Sequence, residues 1–136
     1  MSNDKSNKKY KLLIIEDDFL NQKLFEASLS KNFDVKICNS AKSFYQLLDQ
    51  EKFDIFLVDI SINGKKNGLD LIRELRQTKE YRNVGIACLS AHVFQIDRIN
   101  ALKAGADIFL TKPIENNVLT DSLLELIQTK KLYKGI

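Results

Sequence analysis

Short apolar runs alternate with longer amphipathic segments along the chain. Leu12-Leu13-Ile14-Ile15, Ile55-Phe56-Leu57-Val58, Ile86-Ala87-Cys88-Leu89 and Ile108-Phe109-Leu110-Thr111 are unbroken blocks bounded by polar residues. Blocks of this length that lack alternation read as strands covered on both faces, the habit of a parallel sheet. Val35-Lys36-Ile37-Cys38 is a further β-type run. The pattern predicts strands over 10–15, 34–38, 54–58, 84–89 and 107–111. It predicts helices over 19–30, 41–50, 69–79, 93–104 and 116–131. In the first helix Leu20, Leu24 and Ala27 share an apolar face, and in the last Leu119, Leu123, Leu126 and Ile127 gather, with Leu124 beside them. Ser40 suits the N-cap of the second helix, and Gly105 a C′ position after the fourth, where positive φ is cheap. Five strand–helix pairs with short connections specify an α/β fold, a doubly wound five-stranded parallel sheet with right-handed crossovers.

One domain is expected over residues 10–131, after a Ser/Asn/Lys-rich tail (1–9) with the composition of a disordered segment and before a short C-terminal tail (132–136). A chain of 136 residues is long enough to bury about two-thirds of the surface its unfolded form exposes. The formal charge of +3 comes entirely from residues 1–11, where Lys5, Lys8, Lys9 and Lys11 face Asp4. The remainder is balanced, so direct nucleic-acid binding is not expected. No stretch approaches the ~20 apolar residues of a membrane helix, and the polar N-terminus lacks a signal-peptide core, so a cytoplasmic protein is expected. Cys38 and Cys88, each inside a β-type run, read as reduced core thiols.

The chemistry collects at the strand ends. Glu16-Asp17-Asp18, Asp59, Ser90 and Lys112-Pro113 each follow one of the apolar runs. The C-terminal ends of parallel strands share one edge, and ligands of open α/β sheets lie in the crevice outside it. Three adjacent acids in one turn repel one another and ask for a cation; oxygen-only ligands suit Mg2+ or Mn2+. Acids at a helix N-terminus also serve the dipole, which is an equal reading for Asp18 alone. Asp59 beside a metal and an ammonium stays ionised and can attack phosphorus. Ser90 can reach a phosphoryl oxygen, and Lys112, held at the cleft edge by Pro113, can neutralise phosphoryl charge. Asp54 and Asp107 fall at strand beginnings, on the far edge, and read as structural, while Asp70 serves the third helix dipole.

This ordered set resembles the receiver domain of two-component response regulators. The resemblance spans roughly residues 10–131. It implies the flavodoxin-like strand order 2-1-3-4-5. It makes Glu16 and Asp17 the acid pair at a Mg2+ (or Mn2+) ion and Asp59 the phosphoacceptor and metal ligand. Ser90 becomes the switch hydroxyl and Lys112 the phosphate-binding lysine, with a cis peptide before Pro113. The backbone carbonyl of Ser61 would complete the protein's metal ligands, and Phe109 stands where many receivers carry the switch tyrosine. Ser61 and His92 occupy positions that tune dephosphorylation in the family; for His92 a partly exposed loop residue is the competing reading. The loop after Asp59 lacks the proline many members carry. The implied function is a phosphoacceptor signalling domain, not an enzyme, although it promotes its own phosphorylation and dephosphorylation. Its expected donor is a histidine kinase or histidine phosphotransfer domain. Its expected output is a repacking of the fourth-helix, fifth-strand, fifth-helix face, with homodimerisation there as a further mode.

Two rivals fare worse. A phosphatase of the haloacid-dehalogenase type places its nucleophile in an Asp-x-Asp after the first strand, whereas positions 59 and 61 here read Asp and Ser. A flavodoxin-like nucleotide binder needs a phosphate loop after the first strand, where this chain has acids that repel phosphate.

Overall fold

The structure is a computed structural model that describes residues 8–60, 67–91 and 94–134, with backbone alone at 133 and 134. Strands β1 (Tyr10–Ile15), β2 (Phe33–Cys38), β3 (Ile55–Asp59), β4 (Gly85–Ser90) and β5 (Ile108–Thr111) alternate with helices. These are α1 (Phe19–Leu29), α2 (Ala41–Gln50), α3 (Gly68–Gln77), α4 (Gln95–Ala104) and α5 (Asn116–Lys134). All strand pairs are parallel, in the order β2-β1-β3-β4-β5. The expected architecture and strand order are therefore those of the molecule.

Because side chains alternate across a strand, each central strand feeds two cores. Leu13, Ile15, Phe56, Val58, Ile86 and Cys88 pack under α2, α3 and α4, where Phe44, Leu71, Ile72, Leu75, Ala101 and Ala104 meet them. Leu12, Ile14, Ile55, Leu57, Ala87 and Leu89 face α1 and α5, and are covered by Leu29, Leu119, Leu123, Leu126 and Ile127. Phe56 lies among the rings of Tyr81, Phe53 and Phe44 at 5.1, 6.0 and 6.1 Å.

Local signals act as expected at several ends. Ser40 caps α2 in a reciprocal arrangement with Ser43, each side chain accepting from the other's backbone amide at 3.2 Å. Gly105 ends α4 at φ +124°, and a Cβ there would stand 2.5 Å from Cγ of Arg76. Asn67 and Asp70 form a second such box at the start of α3, so Asp70 closes a cap as well as serving the dipole. Asp54 and Asp107 are structural at the far edge. Asp54 accepts from the Lys11 amide at 2.7 Å. Asp107 accepts from the Ile86 amide at 2.8 Å and pairs with Arg76 and Lys130 at 3.0 and 2.8 Å.

Three expectations need correction. The face of α1 carrying Leu20, Leu24 and Ala27 points to solvent, with the two leucines 65% and 57% exposed. The inward stripe is Gln22, Phe25 and Leu29, at spacings of three and four, and its polar first member hides it from a hydrophobicity count. Asp59 and Ser90 are the last residues of their strands, not the first beyond them, because the ladder continues through Asp59–Leu89 and Ser90–Thr111. Helix α5 runs to Lys134, past the expected end at 131, as no glycine or proline interrupts it before Gly135.

Cys38 and Cys88 are buried free thiols on strands separated by β1 and β3. Burial pushes both thiols up to about 12, assisted for Cys88 by the charge of Asp59 and opposed for Cys38 by a hydrogen bond from Ser43. Thiolates are the reactive form. A thiol-directed alkylating reagent at neutral pH therefore leaves both unmodified in the native protein and modifies both in denaturant. Rapid native modification of either would contradict this packing.

Candidate functional site

The upper edge of the sheet brings the predicted residues together. Glu16 follows β1, its amide donating to the Cys38 carbonyl of β2 at 3.0 Å. Asp59 ends β3, and the next amide, Ile60, donates to Leu89 of β4 at 3.1 Å. Lys112 follows β5, its amide donating to the Ser90 carbonyl at 2.8 Å. Its peptide bond to Pro113 is cis. Each functional side chain is thus launched from a backbone already locked into the ladder.

The geometry is compact. Lys112 Nζ donates to Asp59 Oδ2 at 2.9 Å and to Glu16 Oε1 at 3.0 Å. Carboxylate oxygens of Glu16, Asp17 and Asp59 lie within 4.8 Å of one another. Glu16, Asp59 and Ser90 are buried, and Asp17 is half-buried. Asp18 stands apart: it is the N-cap of α1, accepting from the Asn21 amide at 2.9 Å. The open choice for Asp18 is resolved toward the helix. Phe109, half-buried on β5, packs against the α2–α3–α4 core. Ser61 and His92 lie outside the described residues.

Burial and charge together set the electrostatics of the site. Burial lifts the Glu16 carboxyl above its usual range; the Lys112 hydrogen bond opposes this and the Asp59 charge adds to it. Burial alone would lower the Lys112 ammonium, but hydrogen bonds and charge from Asp59 and Glu16 outweigh it, and its net shift is upward. Lys112 therefore stays protonated through the neutral range, and its contribution to stability is lost only as pH rises through its raised value. For Glu16 the sign is the same, but the window is acidic. With a raised folded pKa, its favourable contribution belongs to pH below 4.5 and is lost as pH rises, so ionised Glu16 costs stability at pH 7. Among the described residues, three carboxylates gather around the Lys112 ammonium, a cluster that favours a divalent cation. The all-oxygen donor set fits a hard ion such as Mg2+.

Two residues whose contacts the sequence does not reveal support this arrangement. Gln22, in α1, donates its side-chain amide to the Glu16 carbonyl at 2.6 Å. Gly68 opens α3 directly against β3: a Cβ there would fall 2.6 Å from the Asp59 carbonyl oxygen and 2.7 Å from Ile60 Cα. The glycine is visible in sequence, but its contact is not.

It follows that Glu16→Gln raises the thermal midpoint of the metal-free protein by roughly a few degrees, measured by circular dichroism in EDTA. The same change weakens stabilisation by added Mg2+. A lower midpoint in EDTA would show that ionised Glu16 stabilises the fold instead.

Comparison with known proteins agrees with the geometry. Residues 12–124 match the family profile of the response regulator receiver domain. The chain is 34% identical over 113 residues to the aerobic respiration control protein ArcA of Escherichia coli K12, covering 80% of this chain and 44% of that one. It is 31% identical over 119 residues to the transcriptional regulatory protein CpxR of Klebsiella pneumoniae, covering 87% and 49%. The chain thus spans about half the length of these relatives. Its fold superposes with TM-score 0.80 and 28% identity on the receiver domain of the sensor histidine kinase PA1611 of Pseudomonas aeruginosa, covering 89% of this chain and 99% of that domain. That structure holds a magnesium ion coordinated in its active site cleft. Among the described residues no helix is long and apolar enough to cross a membrane. With its strand order, its acid cluster and its bridging lysine, this chain belongs to the receiver domain family of two-component response regulators.

Proposed function

We propose that Asp59 accepts a phosphoryl group from the phosphohistidine of a histidine kinase or histidine phosphotransfer domain. The observation that carries this reading is the Lys112 ammonium bridging Asp59 and Glu16, with Asp17 in the same cluster. An Asp59 carboxylate oxygen attacks phosphorus, the phosphorus–nitrogen bond breaks, and the histidine imidazole departs. Lys112 faces the phosphoryl charge, and the Ser90 hydroxyl donates to a phosphoryl oxygen. Glu16, Asp17, Asp59 and the Ser61 carbonyl would hold Mg2+ (or Mn2+), which when bound supplies charge neutralisation to the transferring group. Catalysis on this reading is mainly positioning and electrostatics. Ser61 and His92 would tune how long the phosphoryl group persists.

The output reading rests on Ser90, Phe109 and α4. Ser90 moving toward the phosphoryl group would vacate space that Phe109 fills by rotating inward. Burying a ring is worth roughly a few kcal/mol, and a population shift needs a coupling of the same order. Helix α4 suits a moving part: Phe94 at its start makes no side-chain cap, and Ile96 and Leu102 are 58% and 42% exposed. Homodimerisation or partner binding would use this α4–β5–α5 face.

Incubation with acetyl phosphate and Mg2+ is expected to add one phosphoryl group to wild type and none to Asp59→Asn, and EDTA should suppress labelling. Alkali-stable labelling of Asp59→Asn would identify another acceptor and end this reading. Beryllofluoride should shift amide resonances across α4, β5 and the start of α5. If Phe109→Ala leaves those distal shifts intact, the Ser90–Phe109 route is wrong.

A further inference from the structure

Gln22 grips the acid segment twice. Its backbone amide donates to the Asp18 carbonyl at 3.0 Å, and its side-chain amide donates to the Glu16 carbonyl at 2.6 Å. The Glu16 carbonyl belongs to the one peptide unit that joins Glu16 to Asp17. That unit is planar, with the α-carbons of the two acids at its ends. Turning the plane changes ψ at Glu16 and φ at Asp17, and whatever part of the turn the two angles do not compensate swings the Asp17 carboxylate relative to that of Glu16. Upstream the segment is fixed by the Glu16 amide on Cys38, and downstream by the Asp18 cap on Asn21. Between these anchors the Gln22 side chain holds the carbonyl end of the plane, while the Asp18 amide and Lys112 hold the Glu16 carboxylate at 3.2 and 3.0 Å.

We infer that Gln22 is a positioning residue for the cation site: by holding the Glu16 carbonyl it fixes how Glu16 and Asp17 together present their carboxylates to a divalent ion. The inference rests on the reading of that acid pair as the Mg2+ site. Repulsion between the buried Glu16 and half-buried Asp17 carboxylates works against their convergence, so a hold on the backbone between them matters. A neutral donor on a backbone carbonyl provides that hold without placing a positive charge beside the cation. Partners outside the coordination sphere that orient ligands commonly matter tenfold or more for metal affinity.

The test is Gln22→Met, which keeps length, neutrality and helix propensity and removes the amide that donates to Glu16. Titration of backbone amide resonances with MgCl2 should give a Kd about tenfold higher than wild type, with the EDTA thermal midpoint close to wild type. Acetyl phosphate labelling of Asp59 should need about tenfold more Mg2+ but reach the wild-type rate at saturation. A residue that merely braced α1 would lower the thermal midpoint and leave the Mg2+ Kd alone; a Kd within about twofold of wild type overturns the inference. Asp17→Asn separates the two levels. If it binds Mg2+ as wild type does, the underlying metal reading fails. If it loses Mg2+ while Gln22→Met does not, only the role of Gln22 fails.

Discussion

The Lys112 ammonium joins the ends of three strands through two hydrogen bonds. It reaches from β5 across the sheet edge to Asp59 on β3 and Glu16 beyond β1. Such a buried pairing is a weak source of net stability, because desolvation consumes most of the Coulombic gain. Its value here is different. Without it, clustered carboxylates at a buried edge would favour protonation, and a protonated acid neither binds a cation nor attacks phosphorus. Losing the lysine would leave the buried Glu16 and Asp59 carboxylates facing each other without this partner, so the site and the packing above it are held to one arrangement.

That arrangement is possible because the opposite edge is held separately. Arg76 donates to the carbonyls of Gly105, Tyr81, Arg82 and Val84 and pairs with Asp107. Asp107 in turn ties β4 and α5 through the Ile86 amide and Lys130. Charge at the lower edge is spent on architecture. Charge at the upper edge is gathered around Lys112 in the acid cluster. The two groups of charges thus lie at opposite ends of the strands.

How much of this was legible in the chain follows from the same physics. Parallel strands buried on both faces must be continuous apolar blocks, so β1, β3, β4 and β5 stood out, and the acids, Ser90 and Lys112 were placed by being at their ends. The orientation of α1 was not legible. Its inward stripe begins with Gln22, whose polarity is satisfied by a backbone carbonyl, while Leu20 and Leu24 advertise a face that stays in solvent. Gly68 was unreadable for another reason. Its role is a contact with backbone from a separate element, and the absence of a side chain has no period to detect. That Lys112 reaches both Glu16 and Asp59 likewise required the register, not the spacing.

The seat of Asp59 carries one more consequence. The connection that leaves β3 begins at an amide bonded to Leu89 and ends at a capped helix whose first glycine abuts Asp59 itself. No side chain larger than hydrogen fits at position 68 without pressing on the Asp59 carbonyl and the Ile60 backbone. The start of α3 and the end of β3 therefore behave as one casting: a displacement of the helix is delivered to the strand end that carries Asp59, with no side chain between them to absorb it.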